Sequence, residues 1–323
     1  MCASKGFYYY FRPLALLGKV MCSFPIENVL SSNPFKLRHT RFSLTFAYSF
    51  VIQYSLVLFV MINCVPHIKT GSLAKTFLVS LTICMVIRSN VSFTLNLFTH
   101  AKRMPRLIQL LHVFEDRWEN HREIEQSHWK TFFLRVVCTF VTYFILISLH
   151  SYGTIVALNE ISPNLDLHGP KLLMTFLIGL LGSWYIAPMF YFIYFSSAIC
   201  NGFRCINNAL IAVTTREKYN NLFEQTDLNS VEENITELRF LHSMLAEATV
   251  ELSKCFGTFL AIEKLFNVVA IVGNLSCFIH DSTHSVYLIV LTAVNHFFGT
   301  TIAGLGERIK RRVSMLIIIF FVA

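Results

Sequence analysis

The segment His280-Asp281-Ser282-Thr283-His284 sets two imidazoles four residues apart with a carboxylate beside the first. On a helix this spacing puts both histidines on one face, where they hold zinc while the acid acts as base. A second place where chemistry could reside is Arg88, a guanidinium inside a long apolar run with Asn90 and Asn96 nearby. An ionised group in such a run is costly and marks a functional position unless a carbonyl partner or a snorkelling path accounts for it. A third is the aromatic group Trp184, Tyr185, Tyr191 and Tyr194 around Pro188, with His150, Tyr152 and Tyr287 in neighbouring runs. Small-molecule cavities are apolar and aromatic with a few polar groups, although aromatic side chains also fill ordinary cores and interfacial belts. Arg88, His150, Tyr152, Trp184 and Tyr287 are therefore the candidate ligand contacts.

The elements that must position these residues decide between readings. The His-Asp-Ser-Thr-His segment falls in a five-residue connection between two apolar runs and has no third ligand, so it reads as a polar turn rather than a metal centre. The chain has no Walker loop, dinucleotide fingerprint or Gly-x-Ser-x-Gly elbow. No catalytic, cofactor-binding or metal-binding residue is nominated, and the chain does not read as an enzyme. Three Asn-x-Ser/Thr sequons, at Asn90, Asn234 and Asn274, fall in apolar runs or in a basic connection, where glycosylation is not expected.

The chain is 54% hydrophobic and only 14% charged over 323 residues, which excludes an ordinary soluble enzyme. A membrane-crossing helix needs about 20 predominantly apolar residues. Six such runs occupy 42–65, 73–99, 132–158, 172–200, 256–279 and 285–305, and an apolar stretch of 11 residues, 313–323, begins a seventh. Backbone polar groups in lipid must be satisfied within the segment, so the runs are expected to be helices. The fold class is thus all-α: a polytopic membrane helical bundle of six full spans and a partial seventh.

Orientation follows from charge. Of the 27 Lys and Arg residues, 21 lie in the N-terminal 41 residues or in the connections after spans two, four and six. Loops rich in Lys and Arg stay cytosolic, which places the N-terminus of this multi-pass chain in the cytosol; the plasma membrane is its expected location. The net charge of +8 then serves topology and contact with anionic lipid heads rather than nucleic acid. No secretory signal precedes the first span, which is expected to act as the targeting signal itself. The nine cysteines form no C-x-x-C pair; only Cys64 and Cys277 lie at outer span ends, and both are expected to be free and packed.

The organisation is a cytosolic N-terminal segment 1–41, spans one to four in 42–200, a cytosolic helical connection 201–255, spans five and six in 256–305, and a cytosolic loop with a truncated span seven in 306–323. The outer connections 67–72, 159–171 and 280–284 leave no room for a separate binding module. In the long inner connection, Ser230 and Glu233 form a capping box, followed by Leu238, Leu241, Leu245, Ala248, Leu252 and Cys255 at spacings of three and four. That is a helix with one apolar stripe, and it runs without a breaker into span five, as span four runs on into 203–211. The connection 100–130 is also helical in pattern, with Leu107, Leu110, Leu111 and Phe114 on one side. Helices are expected to project beneath the membrane and pack through these stripes.

The run Glu237-Leu238-Arg239-Phe240-Leu241-His242-Ser243-Met244-Leu245, continuing to Leu252, Cys255-Phe256-Gly257 and Leu260, resembles insect gustatory receptors, in which a Leu-x-x-x-Leu helix leads through a Phe-Gly step into the fifth span. Phe11-Arg12-Pro13-Leu14 with Leu17-Gly18 is similar to the start of those receptors. The resemblance implies a ligand-gated cation channel subunit of sensory neurons, assembled as a homo- or hetero-tetramer in the lipid bilayer. It further implies a small tastant held in the outer half of each subunit and no cofactor. The family's Thr-Tyr and Gln-Phe signature of the seventh span is expected to lie beyond Ala323, so the pore helix is expected to be incomplete in this chain. A secondary transporter is the alternative, disfavoured by the lack of internal repeats; a G-protein-coupled-like receptor is disfavoured by the charge distribution.

Overall fold

The computed structural model describes residues 7–40, 43–64, 73–121, 171–220 and 228–280, with single positions at 138, 141, 145, 148, 304, 306–309 and 311. Helices account for most of these segments apart from the loop after residue 20, and no strand occurs among the described residues beyond one bridge between Glu27 and Arg38. The helices are α1 (Phe7–Val20), α2 (Leu44–Cys64), α3 (Leu73–Leu95), α4 (Ala101–His121), α5 (Lys171–Asn220) and α6 (Leu228–His280). Their bounds follow the apolar pattern closely where a run starts from polar sequence, as in α2 and α3. Among the described residues, the stretch Ile186–Val213 of α5 is long and apolar enough to cross a membrane, with mean hydropathy 1.3.

Two helices run far past their apolar runs. α5 has 50 residues and α6 has 53. The stripe Leu238, Leu241, Leu245, Ala248, Leu252 and Cys255 is buried throughout, as helical spacing requires when one face meets a partner. It packs against α4 and α5, and Gly202 of α5 lets Leu245 and Phe114 approach its backbone: an added Cβ there would lie 2.8 Å from Leu245. One expectation is corrected. α6 begins at Leu228, so Ser230 and Glu233 lie inside its first turns rather than capping it.

α3 and α4 join without a break, which agrees with the helical pattern of the connection after residue 99. The apolar run stops at Thr99, yet the helix does not. A π turn, Asn96–His100, carries α3 directly into α4. A π turn adds one residue to the helix and so rotates the following positions by about 100° relative to a regular helix. That rotation lets α3 present polar residues and α4 present Leu107, Leu111 and Phe114 to neighbours on one side of the molecule. His100 closes the turn. It is 1% exposed, its ring lies 4.7 Å from that of Phe256 and 5.5 Å from that of Phe259, and its Nδ1 has no hydrogen-bond partner among the described residues. Cys255 donates its Sγ–H to the His100 carbonyl at 3.8 Å. Burial lowers the imidazole pKa from 6.5 to about 3 and pushes the Cys255 thiol up.

The N-terminal segment folds, which its basic, aromatic composition leaves unannounced. Phe7, Phe11, Leu14 and Gly18 recur at helical spacing, and α1 buries that face against Tyr191, Tyr194 and Phe195 of α5. Glu115 of α4 accepts from the Phe7 amide through both carboxylate oxygens at 2.7 Å, holding a free N–H of the first turn. At the other end Cys22 takes φ 57, Ser23 N–H donates to the Gly18 carbonyl at 2.7 Å, and Cys22 N–H donates to Lys19 at 3.2 Å. This is a Schellman closure with cysteine in the usual glycine place.

Two outcomes are expected. An added Cβ at Gly18 would lie 1.8 Å from the Tyr191 hydroxyl and 3.0 Å from Phe24 Cβ, so Gly18→Ala should destabilise the purified protein by about 1–3 kcal/mol. The loss should shrink in a Tyr191→Phe background, read by thermal unfolding. For His100 the folded pKa lies below the unfolded one, so its contribution is fully present above pH 6.5 and falls as the unfolded chain takes up the proton. Between pH 7 and pH 5 the unaltered chain should lose roughly 2 kcal/mol more than His100→Phe; equal losses would contradict the burial of a neutral imidazole.

Candidate functional site

Arg88 on α3 is 1% exposed, and Glu263 on α6 is 2% exposed. Nε and Nη2 of Arg88 donate to Glu263 Oε2 at 2.8 and 2.5 Å, and Nη2 also donates to Asn267 Oδ1 at 2.9 Å. Ser92 Oγ donates to the second carboxylate oxygen at 2.8 Å. Each helix supplies its two groups at i and i+4, one turn apart on a single face. Four polar side chains thus meet at one point between α3 and α6. An isolated buried charge costs several kcal/mol, which a partner with good geometry and further hydrogen bonds offsets. Beside this node, Gln53 of α2 donates to Asn90 Oδ1 at 2.5 Å, so α2 joins α3 through amides about half a turn from Arg88.

Beyond the π turn the contact between the two helices continues as ion pairs. Arg103 lies 3.5 Å from Glu251, Arg106 lies 2.6 Å from Glu247, and Arg117 lies 3.7 Å from Glu237. The Arg117 guanidinium also stacks 4.3 Å from the Phe240 ring centroid. Burial pushes the Glu251 carboxyl up, but Lys254, Arg106 and Arg103 together outweigh it and leave it below the usual carboxylate range. The Arg106 and Arg117 pairs are exposed or half-exposed and contribute about 0–1 kcal/mol each, while Glu251 of the Arg103 pair is buried. Their weight lies in specifying register, and the buried node supplies the larger penalty for misalignment.

Of the five candidate ligand contacts, the structure describes Arg88 and Trp184; His150, Tyr152 and Tyr287 lie outside the described residues. It does not join the two described ones into one cluster. Trp184 is fully buried, donates Nε1–H to the Met21 carbonyl at 3.2 Å and packs on Phe93 at 4.8 Å. Tyr194 donates to the Phe7 carbonyl at 3.1 Å, and Tyr191 meets Ser23 Oγ at 3.5 Å. The Tyr185 side chain lies outside the described residues. The described part of the aromatic cluster around Pro188 is therefore the seat of the N-terminal segment, its polar tips spent on that segment's backbone and hydroxyl. Asn96 adds to this seat by donating to the Ser23 carbonyl. Glu263, Ser92 and Asn267 are the functional-site residues that the sequence did not single out as partners. The signal available was the i, i+4 repeat of polar groups on each of two apolar runs, but their pairing spans 175 positions.

Among the described residues no cluster of three or more His, Cys, Asp or Glu side chains could hold a metal ion. The arrangement can hold the two helices in register. A family model described as 7tm Chemosensory receptor matches residues 7–312. Comparison with curated proteins finds no match.

Removing one partner of the buried pair leaves the other charge uncompensated. Arg88→Met or Glu263→Leu alone should destabilise the protein by about 3–5 kcal/mol, whereas the double apolar replacement should recover most of that loss. Additive losses in unfolding of the purified protein would show that the two side chains do not act as a pair.

Proposed function

The chain belongs to the 7tm chemosensory receptor family, and on that premise we propose that it is a gustatory-type receptor. In this reading it is a ligand-gated cation channel subunit in the plasma membrane of sensory neurons, detecting a small tastant as part of a homo- or hetero-tetramer. The observation that carries the reading is the family match over nearly the whole chain. A membrane receptor without catalytic chemistry is the role such a family implies.

Six spans with a cytosolic N-terminus fit the distribution of Lys and Arg. α6 fits the same picture as a transmitting element. Its 53 residues carry Glu263 within the apolar part and Glu251, Glu247 and Glu237 in the amphipathic part. A displacement at the buried node would therefore reach the charged seam through one unbroken helix. A tastant would favour the open arrangement only by the difference in its affinity for the two states. The tastant contacts in this reading are Arg88, His150, Tyr152, Trp184 and Tyr287.

Whole-cell recording from cells expressing the receptor, alone and with partner subunits, separates this function from its rivals. A panel of sugars, amino acids and bitter compounds should evoke an inward cation current that persists when G proteins are blocked with a GDP analogue. Loss of the response under that block would instead identify a G-protein-coupled-like receptor. Saturable substrate flux coupled to an ion gradient, without channel current, would identify a secondary transporter.

A further inference from the structure

Between α1, the loop that follows it and the start of α2 lies an open groove of about 1350 Å³. Its lining is of two kinds. Leu44, Tyr48 and Val51 of α2 stand at i, i+4 and i+7, on one face of the helix, and with Val20 and Leu30 they supply apolar surface. Leu44 is 89% exposed and Leu30 70% exposed, so the groove leaves large apolar surface uncovered by the chain itself. Lys19, Lys36 and Arg38 also line it. None of these three makes an ion pair among the described residues, and no Asp or Glu lines the groove. Elsewhere Arg88 pairs with Glu263, and Arg103, Arg106 and Arg117 pair with carboxylates on α6.

Position supplies the occupant. Lys36 and Arg38 precede by a few residues the helix that opens the first long apolar run, so the cations stand at the polar end of that helix and the apolar face continues along it. Lys and Arg beside the start of an apolar helix attract anionic lipid heads, with about 1 kcal/mol for each cation near the surface. Exposed apolar area rimmed by polar groups marks a binding surface. A free phosphate would satisfy the cations and leave the apolar wall bare; a neutral lipid would do the reverse.

We propose that this groove binds an anionic phospholipid of the inner leaflet, its phosphate between Lys19, Lys36 and Arg38 and one acyl chain along Leu44, Tyr48 and Val51. The inner leaflet rests on the reading with a cytosolic N-terminus; the preference for an anionic, acylated ligand rests on the groove alone. The lipid would then fasten α1 to α2 and join the seat of the N-terminal segment to the bilayer.

The test is native mass spectrometry of the full chain in maltoside micelles with equal amounts of dioleoyl phosphatidylserine and dioleoyl phosphatidylcholine. The unaltered protein should retain the serine lipid over the choline lipid by about tenfold, and excess inorganic phosphate should not displace it. Joint Lys19→Gln, Lys36→Gln and Arg38→Gln should bring the ratio near one, while neutralising Arg308 and Arg311 should leave it unchanged. A ratio near one in the unaltered chain overturns the proposal without recourse to any variant, as does a preference that survives the triple change. Displacement by inorganic phosphate also overturns it, in favour of a soluble-anion site. If the triple variant does not fold, Lys36→Gln alone should still lower the ratio severalfold, and no change there counts against the proposal. Sidedness plays no part in micelles, so a wrong orientation leaves these ratios as they are, whereas a wrong groove alters them in either orientation.

Discussion

An arginine buried in an apolar bundle must meet a carboxylate at one depth and no other, and that demand sets the register of α3 and α4 against α6. From Arg88–Glu263 onward the partners step in opposite directions: Arg103 with Glu251, Arg106 with Glu247, Arg117 with Glu237. The helices therefore run antiparallel along a single seam. Sliding one helix by a turn would strand the Arg88 guanidinium or the Glu263 carboxylate in apolar surroundings, a penalty of several kcal/mol that no surface pair could offset. The outer pairs, weak singly, agree with the register that the buried pair imposes. The π turn at Asn96–His100 is part of the same constraint, because it re-aims the helix between the buried node and the charged seam.

The N-terminal segment is built on this frame rather than beside it. α1 rests on the aromatic face of α5, takes a carboxylate from Glu115 of α4 at its start, and is followed by a closure whose Ser23 carbonyl accepts from Asn96 in the π turn. Trp184 ties Met21 to α5 and touches Phe93 of α3. One short helix and its turn thus contact three of the long helices near the point where α3 becomes α4. In the channel reading proposed above, a change must pass from where the ligand binds to where the channel opens, and bistable packing between a few long elements is a way to do so.

Much of the secondary structure was legible because apolar runs and stripes are local signals. The stripe from Leu238 to Cys255 and the side formed by Leu107, Leu111 and Phe114 are buried as their spacing requires. What was hidden is of two kinds. Arg88 was visible as an anomaly, but its partner lies 175 positions away, and helical periodicity holds no information at that separation. α1 had the spacing Phe7, Phe11, Leu14 and Gly18, masked by a run of aromatic and basic residues that reads equally as an interfacial segment. The capping box at Ser230 misled because Leu228 is already helical, and the π turn that joins the apolar run to the helical connection leaves no mark in the local pattern. Trp184 stood out by type; its role in seating Met21 could be read only from three dimensions.

The claim on which the functional reading turns is that the N-terminal segment, packed on α4 and α5, faces the cytosol. An epitope fused ahead of Met1 and probed with antibody on intact and then permeabilised cells addresses it directly. Staining that is absent until the membrane is opened is the expected result. Staining of intact cells would put α1 and the charged seam outside the cell and contradict both the topology and the receptor-channel reading built on it.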